Sequence, residues 1–282
     1  MKVAFLGLGR MGRELVRHVI AEGHDVTVWN RTPGRADHLI GPRVAVAESA
    51  AAAVEEADLI ITVLFGPDAV REVLFSGELT VKSGATVIDV TTISPADAAA
   101  FQASAVIQGF EYVHSPVIGS LEPARGKMLG VLLGGSELGV NSALLVVRLW
   151  ADPQRIRIFD SASKAATSKL VANLAVAVSM QGLTEALRLG HGGGLSTEEV
   201  LAQLLDKTPL QTIAALKADT IRSETFDHTQ FSVNAIAKDA GLMVRTAAKP
   251  LPALNSAYAA FLSAQDSGDG ESDFSSIARN DS

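Results

Sequence analysis

The sequence predicts an α/β fold: a doubly wound parallel sheet, then an all-helical domain entered through one long helix. Three observations predict it. Short apolar runs alternate with helical patterns through the first half of the chain. The opening residues, MKVAFLGLGRMGRELVRHVIAEG, read as a strand, a glycine turn and a helix. Beyond Phe159 strand-like runs cease, and an Ala/Leu/Val-rich pattern without proline runs from residue 163 to about 190.

The strand candidates are residues 3–6, 26–29, 59–64, 86–90 and 112–114, with 130–133 and 156–159 closing the first half. Helical stretches at 12–21, 49–56, 67–74 and 95–108 lie between them. Short buried strands separated by single helices are the pattern of βαβ units, whose crossovers impose parallel pairing. Gly192-Gly193-Gly194 ends the long helix. Ser196-Thr197-Glu198-Glu199 starts the next, with hydroxyls to cap it and carboxylates in its first turn. Further helices are expected over 210–221, 233–248 and 252–265. The domains are therefore 1–161 and 162–282. From Asp266 the tail is polar, a composition that on its own reads as disordered.

Composition narrows the function. Of 282 residues, 48 % are hydrophobic and 20 % charged, a globular balance. A net charge of −7 leaves no basic footprint, so neither nucleic acid nor a membrane surface is an expected partner. The absence of cysteine excludes disulfides, thiolate zinc sites and a cysteine nucleophile. The six histidines show no metal-ligand spacing, and no metal is expected. Arg10 and three glycines interrupt the opening apolar run before a signal-peptide core forms, and a cytoplasmic setting is expected.

Gly7-Leu8-Gly9-Arg10-Met11-Gly12 follows the first strand and opens the first helix. In that setting it is a dinucleotide fingerprint. Gly7 permits the tight turn, Gly9 lets a pyrophosphate approach the backbone, and Gly12 lets helix pack on strand. The helix N-terminus offers N–H donors and a positive dipole end to the phosphates. About twenty residues further on, an NAD site places an acid to accept from the ribose hydroxyls. Here the second strand ends in Trp29-Asn30-Arg31-Thr32. A guanidinium can clamp a 2′-phosphate bidentately, with amide and hydroxyl donors beside it. The expected cofactor is NADP(H).

With these residues in view, the chain resembles the β-hydroxyacid dehydrogenase family, within the 6-phosphogluconate dehydrogenase-like superfamily. That family includes hydroxyisobutyrate dehydrogenases, glyoxylate and succinic semialdehyde reductases and, more distantly, imine reductases. The resemblance spans nearly the whole chain and implies a Rossmann domain. Asp89-Val90-Thr91-Thr92-Ile93-Ser94-Pro95 is similar to the family's strand-end loop, which puts Thr92 on the nicotinamide side. Leu64-Phe65-Gly66 would cover the cofactor. Ser115-Pro116-Val117-Ile118-Gly119-Ser120 resembles the substrate loop, with Gly119 and Ser120 matching and Ile118 standing where a serine is expected. Lys169 and Asn173 match the family's K-x-x-x-N on the long helix, where residues four apart share a face. Two solvent-facing polar residues are the plainer alternative, but residues 170–177 are nearly all apolar and suggest a buried helix.

Phe231 and the pair Lys238-Asp239 resemble a segment whose lysine contacts the cofactor, although alone such a pair reads as a solvated ion pair. Gly270-Glu271-Ser272-Asp273-Phe274-Ser275 resembles a terminal segment that folds back over the helical domain, which orders the tail at least to Ile277. His114, beside the substrate loop, reads as a satisfied structural histidine.

The resemblance implies hydride transfer between NADPH and a small carbonyl or hydroxy compound, in a cleft between the domains. Lys169, its pKa lowered by burial, would be the general acid. Asn173 would orient substrate or lysine, and Ile118, Gly119 and Ser120 would line the substrate's far end. A homodimer or homotetramer through the helical domain is implied as well. The alternatives are an imine reductase with the same cofactor and a catalytically silent NADP-binding sensor.

Overall fold

The computed structural model describes residues 1–39 and 41–279. Its contacts divide the chain into two compact units, Met1–Lys169 and the residues from Leu170 onward.

The first unit is built on a nine-stranded sheet among the described residues. Its strands are β1 (Lys2–Leu6), β2 (Asp25–Trp29), β3 (Val44–Val46), β4 (Leu59–Thr62), β5 (Thr86–Asp89), β6 (Glu111–His114), β7 (Val117–Ile118), β8 (Leu129–Gly134) and β9 (Ala151–Phe159). They run in the order β3-β2-β1-β4-β5-β6-β8-β7, and β9 pairs with β8. The first six are all parallel, in the doubly wound order of a Rossmann fold.

Alternation along β1 shows how both faces are covered. Val3 and Phe5 enter one core with Leu15, Val16 and Val19 of α1 (Arg10–Ala21). Ala4 and Leu6 enter the opposite core, with α2 (Ala50–Val54), α3 (Pro67–Phe75) and α4 (Pro95–Gln108). Ser94 caps α4 by accepting from the Asp97 N–H, and Pro95 occupies the first turn.

The sheet is mainly parallel, as the sequence predicts, with an antiparallel excursion that the sequence does not disclose. β8 runs antiparallel to β6 and β7. Only β7 and the short α5 (Leu121–Arg125) lie between β6 and β8, too little for a parallel crossover. β9 returns parallel to β8 after α6 (Glu137–Val147), a helix the periodicity does not disclose. Its Leu138 and Leu145 are exposed, so its apolar residues form no single stripe. β4 stops at Thr62 rather than residue 64, because the Leu64 N–H leaves the ladder to donate to the Thr91 hydroxyl. The edge strand β3 and the two-residue β7 are too short to carry a pattern.

The second unit is helical. It holds most of α7 (Ala162–Gly192), then α8 (Thr197–Leu205), α9 (Gln211–Ser223), α10 (Val233–Thr246) and α11 (Pro252–Asp266). Ser196 and Glu199 form a reciprocal capping box at the start of α8. By length and composition α7 is apolar enough to cross a membrane. It instead buries Leu170, Ala177, Met180, Leu183 and Leu187 against α8, α9, α10 and α11.

The polar tail is ordered through Arg279, contrary to its composition. Residues Phe274–Ala278 form a 3-10 turn capped by Asp273. Asp273 pairs with Lys217 at 2.7 Å, and both are almost completely buried. Burial alone would raise the Asp273 carboxyl. The Lys217 ammonium and hydrogen bonds from Ser275 outweigh it and hold the group below the usual carboxylate range.

Candidate active site

The glycine turn has the shape the motif requires. Gly7 has φ +103°, and a Cβ there would lie 2.3 Å from the Val63 carbonyl oxygen. A Cβ on Gly12 would meet the Gly7 carbonyl oxygen at 2.1 Å. Gly9 differs: no atom lies within 4 Å of where its Cβ would be. It is also the N-cap of α1, with no side-chain cap bond. Open backbone at an uncapped helix N-terminus fits a dinucleotide pyrophosphate. Leu8 is buried, Met11 is half-buried and Arg10 is exposed.

Asn30 joins the turn to the end of β2. Its Oδ1 accepts from the Leu8 N–H at 2.8 Å, and its Nδ2 donates to the Thr32 carbonyl at 2.9 Å. The amide therefore works first as a brace between two loops, a part the sequence reading did not give it. Arg31 and Thr32 are exposed beside it.

The loops after β4 and β5 lie side by side because their strands pair in register. Phe65 is 60 % exposed, a large apolar surface left open in a loop expected to cover a cofactor. Leu64 and Thr92 are half-buried. Beneath them, the buried Thr91 donates its N–H to Asp89 and accepts from the Leu64 N–H with its hydroxyl. Sequence reasoning missed both residues, although each stands in the strand-end motif.

In the substrate loop, Gly119 has φ +131°, and a Cβ there would come within 2.8 Å of Leu129. Only glycine suits that turn. Ile118 is half-buried in β7, and Ser120 begins α5 without a side-chain cap bond. His114 corrects an expectation. It is fully buried, but among the described residues neither ring nitrogen has a hydrogen-bond partner of good geometry, and its Nδ1 lies 3.9 Å from Asp89 Oδ2. Burial pushes its pKa down to about 4, against the opposing pull of Asp89.

On α7, Lys169 is half-buried and Asn173 buried, one turn apart. The helix around them is less enclosed than its composition suggests, since Val171 is 64 % exposed. In the second unit the Asn173 amide donates to Asp239 Oδ2 at 2.6 Å, and Lys238 Nζ donates to Asp239 Oδ1 at 2.5 Å. Asp239 is 2 % exposed. Asp239 is thus a buried link between Asn173 and the half-buried Lys238, rather than one half of a solvated ion pair. Asp239 organises both proposed site residues and was overlooked, though it is the second residue of the motif.

Residues 2–158 match the family described as the NAD binding domain of 6-phosphogluconate dehydrogenase. Residues 163–280 match the NAD-binding domain of NADP-dependent 3-hydroxyisobutyrate dehydrogenase. A probable 3-hydroxyisobutyrate dehydrogenase-like protein of Arabidopsis thaliana is 29 % identical over 277 residues, covering 96 % of this chain and 82 % of its own length. The Mycobacterium tuberculosis 3-hydroxyisobutyrate dehydrogenase, solved with L-serine, superposes with a TM-score of 0.85 at 26 % identity. That match covers 99 % of this chain and 98 % of the solved one. An imine reductase from Myxococcus stipitatus, solved with NADP+, shares the fold, with a TM-score of 0.68 at 20 % identity and 99 % coverage of each chain. The glycine turn, the strand-end loops and the lysine helix thus stand in a chain matched along both of its halves, and it belongs to the β-hydroxyacid dehydrogenase family of NAD(P)-dependent oxidoreductases.

Proposed function

We propose that the protein is an NADPH-dependent reductase of small carbonyl compounds, with Lys169 as its general acid. The observation that carries this reading is the cluster of Asn173 and Lys238 around the buried Asp239 carboxylate, with Asn173 one helical turn from Lys169. A buried carboxylate that fixes an amide and an ammonium is costly to keep unless their positions matter. NADPH, when bound, supplies the hydride. The chain's own part is positioning and proton transfer. The turn from Gly7 to Gly12 would hold the pyrophosphate, and Arg31 and Thr32 the 2′-phosphate. Leu64, Phe65 and Thr92 would flank the nicotinamide, with Lys238 beside the cofactor. Gly119 and Ser120 would hold the substrate's far end. As negative charge grows on the carbonyl oxygen, Lys169 Nζ would donate a proton to it. In the opposite direction the neutral amine would take the proton back. Asn173 would orient the lysine or the substrate.

The imine reductase fold neighbour supports a second reading with the same cofactor. The lysine at position 169 favours the carbonyl reading, because imine reductases usually carry another residue there. A homodimer or homotetramer through the helical unit belongs to this proposal. So does a cytoplasmic setting, supported by the acidic, cysteine-free composition.

NADPH oxidation with small aldehydes, 2-oxo acids and cyclic imines separates the two readings. Lys169→Ala should lower turnover of the preferred carbonyl compound by about 10²–10⁴, with NADPH affinity near that of the parent. Near-parent turnover would remove Lys169 as the acid.

A further inference from the structure

The C-terminal ends of β4, β5 and β6 carry a polar row that the chemistry above does not use. Thr62, Asp89 and His114 are register partners across the three strands, so their side chains share one face. All three are fully buried. Asp89 Oδ1 accepts from the Thr62 hydroxyl at 2.7 Å and from the Thr91 backbone N–H at 3.0 Å. Asp89 Oδ2 accepts from the Tyr112 hydroxyl at 2.7 Å. Burial, with the Asp89 charge, pushes the Tyr112 phenol well above its ordinary pKa and keeps it a donor. Three donors thus converge on an acceptor-only group. An aliphatic side chain would fill the same space without the cost of burying a carboxylate.

Thr91, itself 2 % exposed, connects the row to the loops above it. Its Oγ1 accepts from the Leu64 N–H at 2.9 Å. One carboxylate therefore fixes the start of the loop after β5 and, through Thr91, the loop after β4. These two loops carry Thr92, Leu64 and Phe65.

We infer that Asp89 and Thr91 are positioning residues that hold these two loops in register for the nicotinamide half of the cofactor. This rests on the cofactor reading above. Neither side chain reaches the reacting atoms; they act through the loops they fix. A shift of about 1 Å in groups that orient reactants costs on the order of a hundredfold in rate.

The test compares the parent with Thr91→Val and Thr91→Ser. The valine keeps the side-chain shape and the N–H to Asp89 but removes the acceptor for Leu64. Three quantities are measured: kcat, the Kd of NADPH, and the Kd of adenosine 2′,5′-bisphosphate, which carries only the adenosine half. Thr91→Val should lower kcat by about tenfold to a hundredfold while the bisphosphate Kd stays within about twofold. Thr91→Ser should restore kcat. If the valine variant does not fold, Asp89→Asn, which turns a donor toward Tyr112, carries the same comparison with the same expected split. Unchanged kcat, or equal weakening of bisphosphate and NADPH binding, would overturn the assignment in favour of general packing. A parent that binds no bisphosphate fails differently: it removes the cofactor reading, and this inference falls with it.

Discussion

Arg31 is proposed to hold the 2′-phosphate, and its exposed guanidinium stays hydrated until a ligand arrives. A charged hydrogen bond contributes about 1.5–3 kcal/mol, or one to two decades in affinity. Arg31→Ala should therefore lose most of a preference for NADPH over NADH while NADH binding barely changes, as read by titrating both cofactors. Equal loss for both would make Arg31 structural. At this scale the sequence shows residue type and spacing, as in the glycine turn, where Gly7 and Gly12 have no room for a side chain. It was not legible where the role lies in a partner. Asn30 and Leu8 are 22 residues apart, and Asn173 and Asp239 are 66 apart. Contacts at such separations join different elements, and no helix or strand period within one element discloses them. His114 shows the same limit: its type suggested a satisfied core histidine, but what its ring nitrogens meet is set by the packing around them.

Among the elements, the C-terminal segment gained most from being seen folded. Its polar residues lack the periodicity of a buried element, yet Asp273 gathers Lys217, Ser275 and the N–H groups of Gln230 and Phe231 into one cluster. Phe274 packs edge-on to Phe231 at 5.7 Å, and Lys217 lies 4.5 Å above its ring. The segment thereby braces the entry to α10, the helix that carries Lys238 and Asp239. Breaking a buried pair from one side leaves an uncompensated charge, at a cost of about 3–5 kcal/mol. Lys217→Met should lower unfolding free energy by about that much in urea titrations at neutral pH. The pH dependence has a definite sign. Because the folded Asp273 carboxyl is held below its ordinary value, its contribution is present above the ordinary carboxylate pKa and is lost as pH falls through the folded one. The parent should therefore lose more stability than the variant on acidification through that window. Identical acid profiles would show that the pair is not the stabilising element.

For the whole molecule, the alternation of strands and helices conveyed five of the six parallel strands, all but the three-residue edge strand β3, and the change to helices. It did not convey the antiparallel return at β8, which depends on how short a connection is rather than on any residue's preference. The long helix shows what one chain leaves unfinished. Only 44 % of its most apolar window is buried. Val171 and Leu189 are 64 % and 80 % exposed. Between them Ala175 is exposed, while Val178 and Gly182 are half-buried. Successive steps of four, three, four and seven residues set all five on one stripe of α7. Such spacing is that of a seam between packed helices, and a stripe of this length is costly to leave in water. A second copy of the chain is the occupant that the dimer or tetramer proposal requires. Sedimentation equilibrium should accordingly return two or four times the 29.4 kDa chain mass. Replacing Val171 and Leu189 together by glutamate would bury charges at the seam and should shift the protein to monomer with its helical content intact. A parent that sediments as a single chain would overturn the oligomer. An unchanged mass for the double variant would move the interface to another face of the helical unit.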